Sequence, residues 1–504
     1  IAALGVVATS PAAAESARAC APHLCCIRRV MPRLAPPGPV FGNCRPGVWQ
    51  YHQLPASSGA TCLDGSPYGF FFLDGTPVPK SEPRSMRFNE SWLLLFEGGG
   101  WCWSPEDCAF RAETKSGSSS DWHHPNKSIS IGGLVNKCCF CTRFCRFRRV
   151  FLKSCDGHSF AGNATIEVPP RADQPPGQPK QVLRSNGLRI ITAVLDELVA
   201  NFALAEAKNI LIGGCSAGGM TALLNAERIR SELRDRGVRP RRFKVASLAG
   251  LFFAPPAPKD AQQQHAASSP PPPFMGASGG TLLPFVGGSS ASSSSSSYLS
   301  PFEEQLRAAV QLGNMSIPAR CRDTMPAGEA WRCLLGTSLL DALPEDLPGF
   351  VWQSRLDLWQ VNCILAAGRS RYFQHNCSSG HAWRGCLGWM QQLKGASKCT
   401  PKQWAALREY EEANHAALSQ SPALRRTGYG SFVHSCYDHC PSPYGLINTG
   451  ALLKPGAVND SVNAREALWM WMLADGERAW EHTHVGCWNA LVSARNGIER
   501  VGWC

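Results

Sequence analysis

Residues 209–220 read NILIGGCSAGGM, and few folds accommodate such a stretch. Asn209-Ile210-Leu211-Ile212 is short and aliphatic, as expected of a strand buried on both faces. After Gly218-Gly219, the residues Met220, Leu223, Leu224, Ile229 and Leu233 recur at helical spacing, and Gly237 offers a C-cap. Ser216 therefore sits on a strand-to-helix turn. Gly214-Cys215-Ser216-Ala217-Gly218 fits the pattern G-x-S-x-G, in which the glycines permit a sharp backbone turn that exposes the serine hydroxyl. The helix that follows would aim its amide N–H groups at charge developing there. A glycine-rich turn with an incidental serine fits the same five residues; the strand before and the helix after favour a nucleophile.

Elsewhere strands and helices alternate. Trp92–Phe96, Val150–Leu152, Ile210–Ile212 and Phe350–Trp352 read as strands, and Gly187–Phe202 and Thr221–Arg236 as helices. This alternation predicts an α/β fold, a mostly parallel sheet flanked by helices. The 504 residues divide into a signal-peptide remnant at 1–19, a Cys/Pro-rich extension at 20–47 and a single domain at 48–504. The remnant starts at Ile1 rather than Met and ends in small residues at Ala12–Ala14 and Ala17–Ala19, which reads as a fragment of a secretory leader. The domain is interrupted at about 255–300 by Pro, Gln and Ser tracts that cannot bury enough apolar surface to order themselves.

A hydrophobic content of 44% supports a substantial core, and the absence of an eighteen-residue apolar run argues against stable membrane insertion. The formal charge of +12 is spread out, densest at Arg143, Arg146, Arg148 and Arg149. No stacking module accompanies that patch, so nucleic acid is not an expected partner. Twenty-three cysteines and six N-x-[ST] sequons, at Asn89, Asn126, Asn163, Asn314, Asn376 and Asn459, predict a disulfide-bonded, secreted glycoprotein. The odd count leaves at least one cysteine unpaired within the chain, and Cys215 beside the turn is the candidate for a buried free thiol. Four cysteines within 138–149 are too crowded for a zinc site and are expected in disulfides.

A serine nucleophile needs a base, an orienting carboxylate and donors for the carbonyl oxygen. The strand Trp92–Phe96 runs into Glu97-Gly98-Gly99-Gly100-Trp101, where glycines let the backbone turn N–H groups inward. The backbone N–H groups of Gly99, Gly100 and Ala217 are the expected oxyanion donors. Asp357, at the end of the strand beginning at Phe350, is the expected carboxylate; Asp235, Asp260, Asp323, Asp341 and Asp346 sit in a charged helix, the insertion or loops. His434 and His439 compete for the base, and His439 lies between Cys436 and Cys440, whose disulfides would fix its loop. Such chemistry requires no metal and no cofactor.

The segments CLDGSPYGFFF (62–72), LLLFEGGGWCW (93–103), KSCDGHSFAGN (153–163), GGCSAGGM (213–220), QSRLDLWQV (353–361) and HSCYDHC (434–440) resemble, in that order, the pectin acetylesterases, whose animal relatives are the Notum lipid deacylases. The resemblance implies an α/β-hydrolase fold with Ser216, Asp357 and His439 as the triad, and it favours His439 over His434. It also implies that Trp101, Asp156 and Gly157 belong to a loop bordering the substrate. The implied activity is removal of acetyl esters from cell-wall pectin by a secreted enzyme, and a monomer is expected. Leu248 stands where the family usually carries Asp, and Pro441 where it carries Gln. A Notum-like acyl-protein carboxylesterase and a non-catalytic glycoprotein on a hydrolase scaffold are the alternative readings.

Overall fold

The computed structural model describes residues 49–75, 90–122, 143–170, 180–256, 299–366, 386, 399–434, 439–440, 464–474, 480–483, 491–493 and 499–501. The leader remnant, the Cys/Pro-rich extension, residues 257–298 of the expected insertion, Cys436 and Pro441 lie outside them.

The polar edge strand β1 (Gln50–Gln53) is followed by the more apolar β2 (Gly69–Leu73), β3 (Ser91–Phe96) and β4 (Arg148–Leu152). A separate antiparallel hairpin follows, β5 (Ala164–Val168) and β6 (Gln181–Ser185). The main sheet continues with β7 (Asn209–Cys215), β8 (Arg242–Leu248), β9 (Gly349–Ser354), β10 (Gly430–His434) and β11 (Trp480–Thr483). Its order is β1-β2-β4-β3-β7-β8-β9-β10-β11. From β4 to β11 every pairing is parallel, while β2 runs antiparallel to both β1 and β4. Every residue of β3, β9 and β10 is buried. That is the signature of strands covered on both faces, and the architecture is α/β-hydrolase-like.

The flanking helices follow from their sequences. Gly187–Asn201 buries Ile190, Ile191, Val194, Leu195 and Leu198, a stripe at helical spacing. The helix after Ser216 begins at Ala217, earlier than the expected Thr221, and runs to Asp235. Gly218 and Gly219 therefore lie in its first turn. A Cβ on Gly218 would collide with the Phe96 carbonyl of β3, and one on Gly219 would come within 2.9 Å of Ser247 Oγ on β8. These glycines let the helix seat on the sheet. At the sheet's other side, buried Lys244 donates to the carbonyls of Trp471 and Ala474 at 2.6 and 2.8 Å, capping the helix Ala464–Leu473.

The basic patch expected near 143–149 is partly internal. Arg149 of β4 is buried with its guanidinium over the Trp49 ring, and Arg148 donates to the Phe202 carbonyl and pairs with Asp74 at 3.3 Å. Two of its four charges are thus spent on the fold.

β3 and β7 are neighbours, yet the strand after each lies on opposite sides: β4 beyond β3, β8 beyond β7. Such a reversal opens a crevice at the carboxyl ends of the strands. The glycine loop leaves β3 there and Ser216 leaves β7 there, with Phe96 paired opposite Gly214.

Candidate active site

Ser216 has φ 60° and ψ −133°, a backbone state that costs a side-chain-bearing residue about 1–3 kcal/mol. The surroundings hold it there: its N–H donates to the Leu248 carbonyl at 2.9 Å, and its own carbonyl accepts from Gly219 and Met220 at 2.8 and 3.2 Å. Leu248 thus contributes its main chain to the turn. The glycine loop presses close, since a Cβ on Gly98 would come within 2.6 Å of the Cys215 carbonyl and 2.9 Å of Ser216 Cβ. The turn is the strained strand-to-helix turn that the glycine spacing anticipates, and Ser216 is partly exposed.

In the loop after β3, Gly99 and Gly100 have φ of 132° and 70°. Their carbonyls both accept from Arg111 Nη2, at 2.7 and 3.2 Å. In a trans peptide the C=O of one residue and the N–H of the next point opposite ways. With the Gly99 and Gly100 carbonyls turned to Arg111, the N–H groups of Gly100 and Trp101 face away from it. Behind the loop, Cys102 N–H donates to the Gly157 carbonyl at 2.9 Å, and Cys102 is disulfide-bonded to Cys108. Asp156 and Trp101 are both buried. Burial holds the carboxyls of Asp156 and Asp107 up to about 6, although Arg111 lies close enough to each to favour their charged forms.

Asp357 follows β9 and is fully buried, with Oδ1 accepting from Gln360 N–H at 3.0 Å at the start of a short helix. Its Oδ2 lies 2.8 Å from His439 Nδ1. Asp235 ends the helix that starts at Ala217, and three of the other candidate aspartates are engaged elsewhere. Asp341 accepts from Ser421 Oγ and Ala423 N–H, Asp346 pairs with Arg230, and Asp323 pairs with Arg322. Asp260 lies outside the described residues. His434 is the buried last residue of β10, and its carbonyl accepts from Arg355 N–H at 2.9 Å.

Cys440, immediately after His439, is bonded to Cys215, immediately before Ser216. This corrects the expectation of a free thiol at Cys215; the expected disulfide at Cys440 is present, and its partner is the elbow cysteine. The two bonded cysteines are 225 residues apart, and only the folded sheet brings them together.

Aromatic rings wall the same region. Trp359, two residues after Asp357, stacks on the His439 ring at 5.9 Å and 27°. It meets Phe252 at 5.4 Å and Trp101 at 6.5 Å, and Trp101 meets Phe252 at 5.4 Å. Gln360 fixes the Phe252 segment, accepting from Phe253 N–H at 2.9 Å and donating to the Leu251 carbonyl at 2.9 Å. Neither Trp359 nor Phe252 stood out in the sequence; an aromatic residue beside the motif acid was the available signal. Among the described residues, metal-ligand geometry is confined to Cys102, Cys108 and His158, and the two sulfurs are joined in a disulfide that offers no thiolate.

Residues 50–268 and 288–478 match the Pectinacetylesterase family. The chain is 26% identical over 391 residues to pectin acetylesterase 11 of Arabidopsis thaliana, covering 77% of this chain and 79% of that protein. It is 34% identical over 182 residues to pectin acetylesterase 5 of the same plant, covering 36% of this chain and 38% of that protein. To the palmitoleoyl-protein carboxylesterase NOTUM of Homo sapiens it is 24% identical over 307 residues, covering 60% of this chain and 50% of that protein. With the elbow, the glycine loop and the acid–imidazole pair at one end of an α/β-hydrolase-like sheet, the chain belongs to the pectinacetylesterase family of carboxylic ester hydrolases.

Proposed function

We propose that the protein is a secreted serine esterase that removes acetyl groups from cell-wall pectin through Ser216, His439 and Asp357. The observation that carries the mechanism is the Asp357–His439 contact at 2.8 Å, tied to the serine turn by the Cys215–Cys440 disulfide. His439 takes the Ser216 hydroxyl proton as Oγ adds to the ester carbonyl. Asp357 fixes the imidazole tautomer and stabilises the imidazolium. The tetrahedral oxyanion accepts from the N–H groups of Gly100, Trp101 and Ala217, the first two belonging to the peptides whose carbonyls Arg111 holds. The imidazolium then gives its proton to the departing sugar oxygen, and the same histidine activates water to release acetate from the acyl-enzyme.

The names of the plant relatives support an acetylated polysaccharide as substrate, and the rings around His439 support a small acyl group. Disulfides such as Cys62–Cys155 and Cys321–Cys333 support an oxidising compartment, and the sequon residues Asn163 and Asn314 are exposed. The test assays secreted protein and its Ser216→Ala variant on acetylated pectin, p-nitrophenyl acetate and a long-chain p-nitrophenyl ester, with glycan mapping of the same preparation. Serine-dependent acetate release from pectin is expected. Activity on the long ester alone would favour a NOTUM-like deacylase, and silence on all three a non-catalytic scaffold.

A further inference from the structure

We infer that Arg111 is a positioning residue that sets the shape and donor strength of the oxyanion loop; the inference rests on the serine-esterase reading above. Arg111 is 1% exposed, on the helix Pro105–Ala112. Its Nη2 donates to the carbonyls of both Gly99 and Gly100. Those two glycines have positive φ, so the loop's conformation lacks the support that ordinary backbone preferences would give it. One rigid, planar cation supplies it from behind.

The helix that carries Arg111 is itself anchored. Ser104 caps it by accepting from Asp107 N–H at 3.2 Å, and Pro105 opens it. Its Cys108 is bonded to Cys102 of the glycine loop. Burying a guanidinium disfavours its charge, and the nearby carboxyls of Asp107, Asp156 and Glu97 act against that penalty. Neutralising those acids would not by itself require hydrogen bonds to two consecutive loop carbonyls. Those bonds have a chemical consequence on the far side of each peptide. A charge-assisted bond to a carbonyl polarises the amide and strengthens the opposing N–H as a donor. Arg111 thereby orients and activates the Gly100 and Trp101 N–H groups without touching substrate.

The experiment compares wild type, Arg111→Lys and Arg111→Ala by p-nitrophenyl acetate kinetics, by inhibition with a trifluoromethyl ketone whose adduct carries an oxyanion, and by circular dichroism. Arg111→Lys keeps the charge and the stem but loses the planar fork. In folded protein we expect kcat to fall at least tenfold for Lys and about a hundredfold for Ala, with KM within threefold, as for loss of an oxyanion donor. Affinity for the ketone should fall in parallel with kcat/KM, and added guanidinium should restore part of the Ala variant's kcat. Folded Arg111→Lys with wild-type kcat and ketone affinity would overturn the inference. So would a loss confined to KM. If Arg111→Ala does not fold, the Lys variant decides alone. Wild-type protein inert toward the ester would instead remove the esterase reading on which the inference stands.

Discussion

Of the two histidines beside the site, His434 ends a buried strand and His439 touches Asp357. They therefore differ in what their loss should do. His439→Ala should lower kcat by roughly three to six orders of magnitude with the fold retained, as when a triad member is removed. His434→Ala should cost at most about tenfold in kcat, or about 1.4 kcal/mol of barrier. Steady-state kinetics on p-nitrophenyl acetate distinguish them, and an exchange of the two behaviours would reassign the base. Trp359 is the other informative residue, because its ring lies between the His439 imidazole and the Trp101–Phe252 pair. Truncation should open space for a longer acyl chain. We expect Trp359→Ala to raise the octanoate-to-acetate ratio of kcat/KM at least tenfold, about 1.4 kcal/mol of altered discrimination. An unchanged ratio would place the acyl group elsewhere.

At the scale of elements, β7 with its following helix and the loop after β10 are separate in sequence, and the Cys215–Cys440 bond joins them one residue away from the proposed nucleophile and base. A base that wanders loses much of the rate gained from orientation. Replacing both cysteines by serine should reduce kcat about tenfold at unchanged KM and destabilise the fold by about 2–4 kcal/mol. Urea unfolding and steady-state kinetics on the double variant provide the check. Wild-type kcat in a folded double variant would mean that other contacts hold the histidine loop. The glycines tell a related story about elements. Gly218 and Gly219 looked like turn-makers, yet they sit inside the helix, where a close approach to β3 and β8 leaves no room for a side chain.

For the whole molecule, buried ionisable groups behind the glycine loop make stability depend on pH. His158 is fully buried, with Nδ1 2.8 Å from Ser185 Oγ, and burial lowers its pKa from 6.5 to about 4. As pH falls between those values the unfolded chain takes up a proton that the fold refuses, so the fold loses up to roughly 3 kcal/mol. Asp107 and Asp156 act in the opposite sense: burial raises them from 3.8 to about 6, so the fold takes up their protons first and gains stability as pH falls. Wild-type stability mixes these contributions, and a single-site difference isolates one. The stability advantage of wild type over His158→Gln should shrink by up to roughly 3 kcal/mol between pH 7 and pH 4. Chemical denaturation at several pH values measures it, and a constant difference would show that His158 does not stay neutral in the fold.

The sequence by itself determined the pieces whose physics is local. An aliphatic run must become a buried strand, G-x-S-x-G must turn sharply after it, and three glycines after Phe96 must leave a loop without side chains. The order of these pieces along the chain was enough for the α/β alternation, and Asp357 was legible as the acid at a strand's end. What only the tertiary structure decided depends on which distant segments meet. The partner of Cys215 lies 225 residues away, so no spacing rule could identify it. Arg111 had no place in the sequence reading, because its burial against two glycine carbonyls arises only in the fold. Trp359 did not stand out until the parallel pairing of β9 and β10 brought the segments that follow them together and laid it on His439. Periodicity and turn chemistry act over a few residues, whereas burial, charge pairing and ring stacking are properties of neighbours that the chain reaches only by folding.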